Sequence, residues 1–211
     1  NTTVTPAPNT TVTPTPRPTT AAAPPPAPSG AAGSDGGGLE LGAQLPGSIM
    51  HTDKMQQAGM RWVKFQIKWA PGLDPGVAAG YVAAAHGSGY KVLLAIPGQP
   101  YPTAIDYNGY VEFLRGVAAY QPDAIEVWNE MNIDFEWPAG QINPQSYVNN
   151  MLAPSFNAIK SVSPGTMVII GALAPTGYFG GCTGAGCDDN LYVQGMAAAG
   201  AANYANCIGV H

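Results

Sequence analysis

The sequence predicts an α/β fold in which parallel strands, each followed by a helix, form an incomplete (β/α)8 barrel of about six strands. Three observations predict it. Strand-like and helical segments alternate strictly from Leu39 onward. Within the second and fourth strand-like segments, apolar and polar residues alternate, so that one face is apolar and the other polar. The 173 residues from Leu39 to His211 fall short of the roughly 250 residues of a complete barrel.

Glycines and prolines mark the ends of several predicted elements, such as Gly59 after the first helix and the Gly87-Ser88-Gly89 turn after the second. Pro154 is expected to interrupt or kink the fourth helix, because proline removes a backbone donor. The predicted strands are residues 39–44, 61–69, 91–96, 124–130, 167–173 and 207–211, and the predicted helices are residues 49–58, 77–85, 107–120, 144–161 and 190–199.

Alternation within the second and fourth strands favours a barrel over an open, doubly wound sheet. An open sheet covered by helices should be apolar on both faces, whereas a barrel can turn its polar face inward. Lys64 and Glu126 would then pair in the interior, so that neither charge is buried alone. A half-exposed sheet is the alternative. The side chains expected to face the interior are Lys64, Gln66, Glu126 and Glu130.

Residues 1–30 form a Thr/Pro-rich arm. They hold nine Pro and nine Thr, with Arg17 as the only charge, which is too little apolar surface to offset the entropy of ordering. An eight-residue sequence beginning at Asn1 recurs at Asn9, and each copy opens with an N-glycosylation sequon. We expect covalent glycans on Asn1, Asn9 or the neighbouring threonines, with an unmodified extended linker as the alternative. Residues 31–38 form a Gly-rich hinge before the barrel.

The composition argues against two classes of partner. The net charge is −5 and only 10% of residues are charged, without a basic face, so nucleic acid is not an expected partner. The sequence has no run of 18 apolar residues, so no membrane span is expected.

The three cysteines bear on location. Cys182 and Cys187 flank a flexible Thr-Gly-Ala-Gly segment and are expected to form a disulfide, with two free thiols as the alternative. Together with the arm, that disulfide indicates an extracellular or cell-surface location. Cys207 is expected to be free and buried. No His lies near Cys182 or Cys187 in the sequence, and we expect no metal site and no cofactor.

The segment ending in Trp128-Asn129-Glu130 places an amide and a carboxylate at the exit of a buried strand. With Gly59-Met60-Arg61-Trp62-Val63-Lys64 before it and Ile208-Gly209-Val210-His211 after it, this segment resembles the retaining glycoside hydrolases on (β/α)8 barrels, the cellulase, xylanase and β-xylosidase relatives. The resemblance covers residues 39–211, the N-terminal two-thirds of such a barrel. It implies that Glu130 is the general acid/base, that Asn129 hydrogen-bonds the sugar 2-hydroxyl, and that His211 reaches the pocket. The alternative for Glu130 is a structural carboxylate that caps the next turn.

A retaining enzyme also needs a nucleophilic carboxylate about 5–5.5 Å from the acid. Asp134 and Glu136 follow Glu130 too closely in sequence to be expected to face it. We therefore expect the nucleophile beyond His211, outside the given sequence.

Four aromatic residues after predicted strands are expected to stack on sugar rings, with ordinary packing as the alternative for each: Trp69, Tyr101, Trp137 and Tyr178. These features predict an extracellular, glycoside hydrolase-like protein that acts on or binds polysaccharide. A second hypothesis is a non-catalytic structural surface or filament glycoprotein, in which the arm joins copies of the chain. A carbohydrate-binding module that has lost catalysis lies between the two.

Overall fold

Six parallel strands form one sheet in which spatial order follows chain order. The computed structural model describes residues 38–211, so the predicted glycosylation of Asn1 and Asn9 and nearly all of the predicted hinge lie outside the described residues. The strands are β1 Leu41–Gln44, β2 Met60–Gln66, β3 Lys91–Ile96, β4 Ala124–Val127, β5 Met167–Leu173 and β6 Cys207–Val210.

Helical segments connect each strand to the next. They are α1 Thr52–Gln57, α2 Val77–Gly87, α3 Tyr107–Ala118, α4 Pro144–Tyr147, a π-helical turn Val148–Leu152, α5 Ala153–Val162, α6 Asp189–Ala198 and a 3-10 turn Ala201–Tyr204. A doubly wound sheet reverses its strand order at a switch point, and this sheet does not. The sheet curls into a half-barrel with helices outside, which confirms the predicted fold class.

The apolar face of the sheet packs against the helices. On β2 the buried residues are Val63 and Phe65, and on β3 they include Val92 and Leu94, none more than 1% exposed. Leu114 on α3 is also fully buried and belongs to the same apolar core. The period-two pattern of the sequence therefore sorts side chains between the helix layer and the concave face.

The concave face carries the predicted ion pair. Lys64 Nζ lies 2.6 Å from Glu126 Oε2, and Glu126 Oε1 accepts a hydrogen bond from the Ala172 amide at 3.0 Å. Gly209 on β6 allows this packing, because a Cβ there would come within 2.7 Å of Glu126 Oε1. Gln66, which alternation places on the same face two residues after Lys64, is exposed to solvent.

The fourth helical segment deviates at Pro154, as the sequence suggests, but not by a simple kink. Proline cannot donate to the carbonyl four residues earlier and its ring crowds that carbonyl. The π-helical turn at Val148–Leu152 precedes Pro154, which occupies the first turn of α5. A proline is tolerated in a first helical turn, and the wider turn absorbs the change of hydrogen-bond register.

Two further expectations need correction. The first helix begins at Thr52 rather than Ile49, after His51 adopts a left-handed φ of 57°. Cys207 is free, as expected, but exposed rather than buried, because β6 pairs with β5 alone among the described strands. Within residues 38–211, no helix has both the length and the apolar character needed to cross a membrane.

Candidate active site at the strand exits

Strand β4 ends three residues earlier than the sequence predicts, and the cause lies in the candidate site. Trp128 and Glu130 both adopt left-handed backbone conformations, with φ of 70° and 46°. Residues other than glycine rarely adopt this backbone conformation, and where they do the surrounding structure must hold them in it. The strand alternation therefore stops at Val127, and Trp128 turns into the helix layer instead of the barrel interior.

Two tyrosine hydroxyl groups hold this turn. Tyr110 from α3 donates to the Ile96 carbonyl at 2.7 Å and accepts from the Trp128 amide at 2.9 Å. Tyr147 from α4 donates to the Val127 carbonyl at 2.8 Å. Both hydroxyls are buried, and each satisfies backbone groups that the sheet ladder no longer reaches.

Close packing fixes the indole of Trp128. A Cβ on Gly98 would lie 2.0 Å from the indole ring, and a Cβ on Gly171 would lie 2.6 Å from the Trp128 carbonyl oxygen. The indole nitrogen donates to the Glu136 carbonyl oxygen at 2.9 Å. This hydrogen bond joins the loop after β4 to Trp128, the residue with which that loop begins.

Glu130 projects from this turn into a partly open site. Its backbone amide donates to the Ala172 carbonyl at 2.8 Å, which anchors it to β5. Its Oε1 lies 2.9 Å from Nδ1 of His211, which follows β6. The carboxyl side chain is 24% exposed, so a ligand can reach it. The structure therefore brings together Asn129, Glu130 and His211, which the resemblance places in one site.

A second carboxyl group belongs to the same site. Glu136 is only 9% exposed, and its pKa is raised from 4.5 to about 7, chiefly by burial and then by the charge of Glu130. The charge of Lys68 and the polar side chain of Asn129 lower the pKa of Glu136 and so oppose this rise. The charges of Glu130 and Glu136 therefore influence each other, although the two residues are close in sequence.

Hydrogen bonds from the β5–α6 loop hold the Glu130–Glu136 segment in place. Asn132 is fully buried; its side-chain amide donates to the carbonyls of Ala174 and Cys187, and its side-chain oxygen accepts from the Ala174 amide at 2.9 Å. Cys182 and Cys187 are joined by a disulfide. The short disulfide loop also bonds the neighbouring loop, where the Asp134 amide donates to the Ala185 carbonyl at 3.0 Å.

Two of the four predicted sugar-stacking aromatics do not present a face to solvent. Trp137 is fully buried, stands edge-on to Trp128 at 5.7 Å, and donates its indole N–H to the Gln141 carbonyl. Trp69 is 5% exposed and edge-on to Tyr110. Both rings are packing residues, because the loops after β2 and β4 fold them into the helix layer.

The other two aromatics are exposed. Tyr101, after β3, is 68% exposed and has a left-handed φ of 51°. Its ring stands edge-on to Phe135 at 4.6 Å, and Phe135 is 38% exposed. Tyr178, after β5, is 76% exposed and contacts Phe179. The loops after β3, β4 and β5 therefore carry exposed aromatic rings at the same end of the barrel as Glu130.

Sequence reasoning missed Glu136, Asn132 and Phe135. A buried role for Glu136 has one signal, because a carboxylate followed directly by Trp-Pro in a short loop indicates that the loop is packed. Asn132 and Phe135 have no comparable signal, since their partners come from loops 30 or more residues away. Among residues 38–211, no three His, Cys, Asp or Glu side chains cluster in a way that could hold a metal ion.

One comparison with a solved structure supports the fold. The catalytic domain of a mannanase from Streptomyces sp. SirexAA-E matches with a TM-score of 0.53 and 11% identity, over 82% of this chain and 56% of that domain. An enolase from Bradyrhizobium, solved with magnesium and mandelic acid, matches with a TM-score of 0.38 and 12% identity, over 82% of this chain and 38% of that one. The chain thus spans little more than half of the mannanase domain. No protein-family model and no curated protein matches the sequence.

Proposed function

We propose that this chain carries the acid/base half of a glycoside hydrolase-like site that binds and cleaves polysaccharide, with Glu130 as the general acid/base. One observation carries the proposal. Glu130 stands at the carboxyl end of the fourth strand of a half-barrel, open to solvent and paired with His211 from the sixth strand. Enzymes on (β/α)8 barrels assemble their sites from residues at these strand ends.

The chemistry follows from the neighbours of Glu130. Cleavage of a glycosidic bond requires a proton on the leaving oxygen, and the same carboxylate then activates water for the second step of a retaining reaction. His211 at 2.9 Å can hold the carboxyl in one rotamer. Asn129, adjacent in the chain, is half-buried and can orient a sugar hydroxyl. We propose that the nucleophile comes from a later strand of the barrel.

The exposed aromatics suggest a polymeric substrate. Tyr101 and Phe135 form a ridge on the loops after β3 and β4, outside the immediate surroundings of Glu130. Aromatic faces pack against the apolar C–H surface of pyranose rings. A ridge at the same end of the barrel as Glu130 would contact sugars further along a bound chain than the cleaved bond, which favours a substrate longer than a disaccharide. We propose an extracellular or cell-surface location, for which the disulfide Cys182–Cys187 is the supporting observation.

The test is hydrolysis and binding by the full protein with mannan, xylan and cellulose as probes. Release of reducing ends is measured for the wild type, E130Q and the control E112Q, since Glu112 is an exposed carboxylate on α3. E130Q is expected to lose about 100-fold or more in turnover, the usual scale of general acid–base catalysis. E112Q is expected to match the wild type.

A substrate whose cleavage needs no general acid separates the role of Glu130 from that of the nucleophile. A dinitrophenyl glycoside has a leaving group that departs without protonation, so E130Q should still release dinitrophenol in a first burst. Equal turnover of polysaccharide by E130Q and wild type would remove Glu130 from the mechanism. Absence of both binding and hydrolysis with all three polysaccharides would overturn the proposed function.

A further inference from the structure

A pocket between the loops after β2 and β3 has no part in the proposed acid/base chemistry. Its volume is about 220 Å³, and Trp69, Tyr101, Asp106 and Trp128 are among the residues that line it. Two of the aromatics that the sequence predicts to contact sugar, Trp69 and Tyr101, therefore meet at one cavity. Trp128 lies two residues before Glu130, so the pocket adjoins the turn that carries the proposed acid.

The size of the pocket limits what it can hold. Pockets that take drug-sized ligands measure roughly 300–1,000 Å³, so a pocket of about 220 Å³ has room for one ring and not for a chain. Trp69 is 5% and Trp128 is 1% exposed, so their rings form its inner wall. Gln99 and Thr103 are exposed and form part of its mouth.

The lining favours a neutral, hydroxylated ring. Asp106 accepts a hydrogen bond from the Gly109 amide at 2.9 Å, which fixes its carboxylate on the wall, and a carboxylate accepts hydrogen bonds from ligand hydroxyl groups. Gln99 and Thr103 add an amide and a hydroxyl. Among the described residues that line the pocket none is basic, so an anionic ligand would meet the charge of Asp106 without compensation. The indole of Trp69 suits the apolar C–H surface of a pyranose.

Tyr101 stands at the mouth of the pocket in a strained backbone conformation. Its φ of 51° is one that tyrosine rarely adopts. Its amide donates to the Phe135 carbonyl, and its ring lies edge-on to the Phe135 ring at 4.6 Å, so contacts with the loop after β4 hold the strained conformation. Backbone strain of this kind is concentrated at binding and catalytic sites. The strain keeps one exposed ring both on the aromatic ridge and at the pocket.

We propose that this pocket binds one neutral pyranose ring, carried as a single-sugar branch on the polysaccharide that lies at Glu130. The branch rests on the proposed function, whereas binding of a free pyranose does not. Because Tyr101 belongs both to the ridge and to the pocket wall, a chain that lies on the ridge brings its branch to the mouth of the pocket. The sugar at the end of a chain would have to leave the ridge to enter.

The first experiment titrates the full protein with free galactose, glucose, mannose and xylose. The indole N–H resonance of Trp69, assigned through its loss in W69F, is followed in 1H–15N spectra. At least one sugar is expected to shift it with a Kd of roughly 1–10 mM, the affinity expected of a ligand with about 12 non-hydrogen atoms. The shift should disappear in A104W, because Ala104 is exposed and lines the pocket, so that an indole there fills it. No shift with any of the four sugars, or an unchanged shift in A104W, would overturn the proposal.

The variant Y101G separates sugar binding from folding. Glycine adopts a left-handed backbone freely, so Y101G should melt no lower than the wild type while its affinity for the sugar falls several-fold. The control Y120A removes an exposed tyrosine that follows α3 and should leave the sugar affinity unchanged. Wild-type sugar affinity in Y101G would contradict the proposal.

The branch is tested with oligosaccharides from galactomannan and xyloglucan, each compared with its unbranched backbone. At least one branched oligosaccharide is expected to bind the wild type several-fold more tightly than its backbone, and A104W should bind the two alike. Equal affinities of the wild type for branched and unbranched forms would overturn the branch. A failure of E130Q to affect hydrolysis would defeat the proposed function and leave the binding of free sugar standing.

Discussion

Replacing Glu136 with Gln is expected to stabilise the protein at alkaline pH and to leave it nearly unchanged at acid pH. The pKa of Glu136 is raised from 4.5 to about 7 in the folded protein, so the folded state keeps a proton that the unfolded chain has released. Between these pH values the folded state binds more protons, and the free energy of unfolding falls as pH rises. Glutamine is neutral throughout and does not contribute this fall.

The magnitude follows from the same values. The difference between 4.5 and about 7 corresponds to about 3 kcal/mol of unfolding free energy. This contribution is present below pH 4.5 and is lost as the pH rises through 7. Burial is the larger cause and the charge of Glu130 the second, so added salt should reduce the loss only slightly.

Urea unfolding followed by circular dichroism measures the effect at several pH values from 4.5 to 8.5. The difference in unfolding free energy between E136Q and wild type should grow across this range and level off above pH 8. Ionisable groups remote from Glu136 titrate alike in both proteins and cancel in the difference. E112Q serves as the matched control, because Glu112 is exposed on α3. A difference for E136Q that stays constant with pH, or that grows toward acid, would refute the reasoning.

Three further predictions concern packing. K64M should cost about 3 kcal/mol of unfolding free energy, since it leaves the buried carboxylate of Glu126 unpaired; adding E126Q should restore part of the loss in urea unfolding, and an additive double variant would contradict the pairing. G98A should cost about 2 kcal/mol because its methyl group meets a buried indole ring, whereas G80A, with open space around it, should gain about 1 kcal/mol; equal melting temperatures would contradict this. Iodoacetamide should modify one of the three cysteines of the native protein, Cys207, as read by mass spectrometry, and an unmodified protein would show that this thiol is covered.

The barrel could be predicted because its signals are local. The bounds of β3 and β5 match their predicted ranges, since β-branched and other apolar runs end at glycine or proline. The Lys64–Glu126 pair followed from alternation alone. Period-two patterning reports which side of a sheet a residue faces, and in a half-barrel that decides between the helix layer and the concave face.

The candidate site was less predictable because it breaks those local rules. Alternation places Trp128 inside the barrel, but a left-handed backbone turns it outward. The sequence predicts that Trp137 lies in a loop and stacks on a sugar ring, but its side chain is fully buried. The role of Glu136 depends on a loop folded back by contacts from α3, α4 and the β5–α6 loop. No sequence window holds these partners together, so only tertiary contacts reveal them.

The Tyr110 hydroxyl has a dynamic consequence. By linking the Ile96 carbonyl to the Trp128 amide, it continues the pairing between β3 and β4 past the point where the strands themselves separate. The turn that carries Asn129 and Glu130 should therefore open together with the sheet rather than fluctuate as a surface loop. Hydrogen exchange at the Trp128 amide should be as slow as at strand amides. A ligand would then meet a turn that is already ordered and would spend little binding free energy on ordering it.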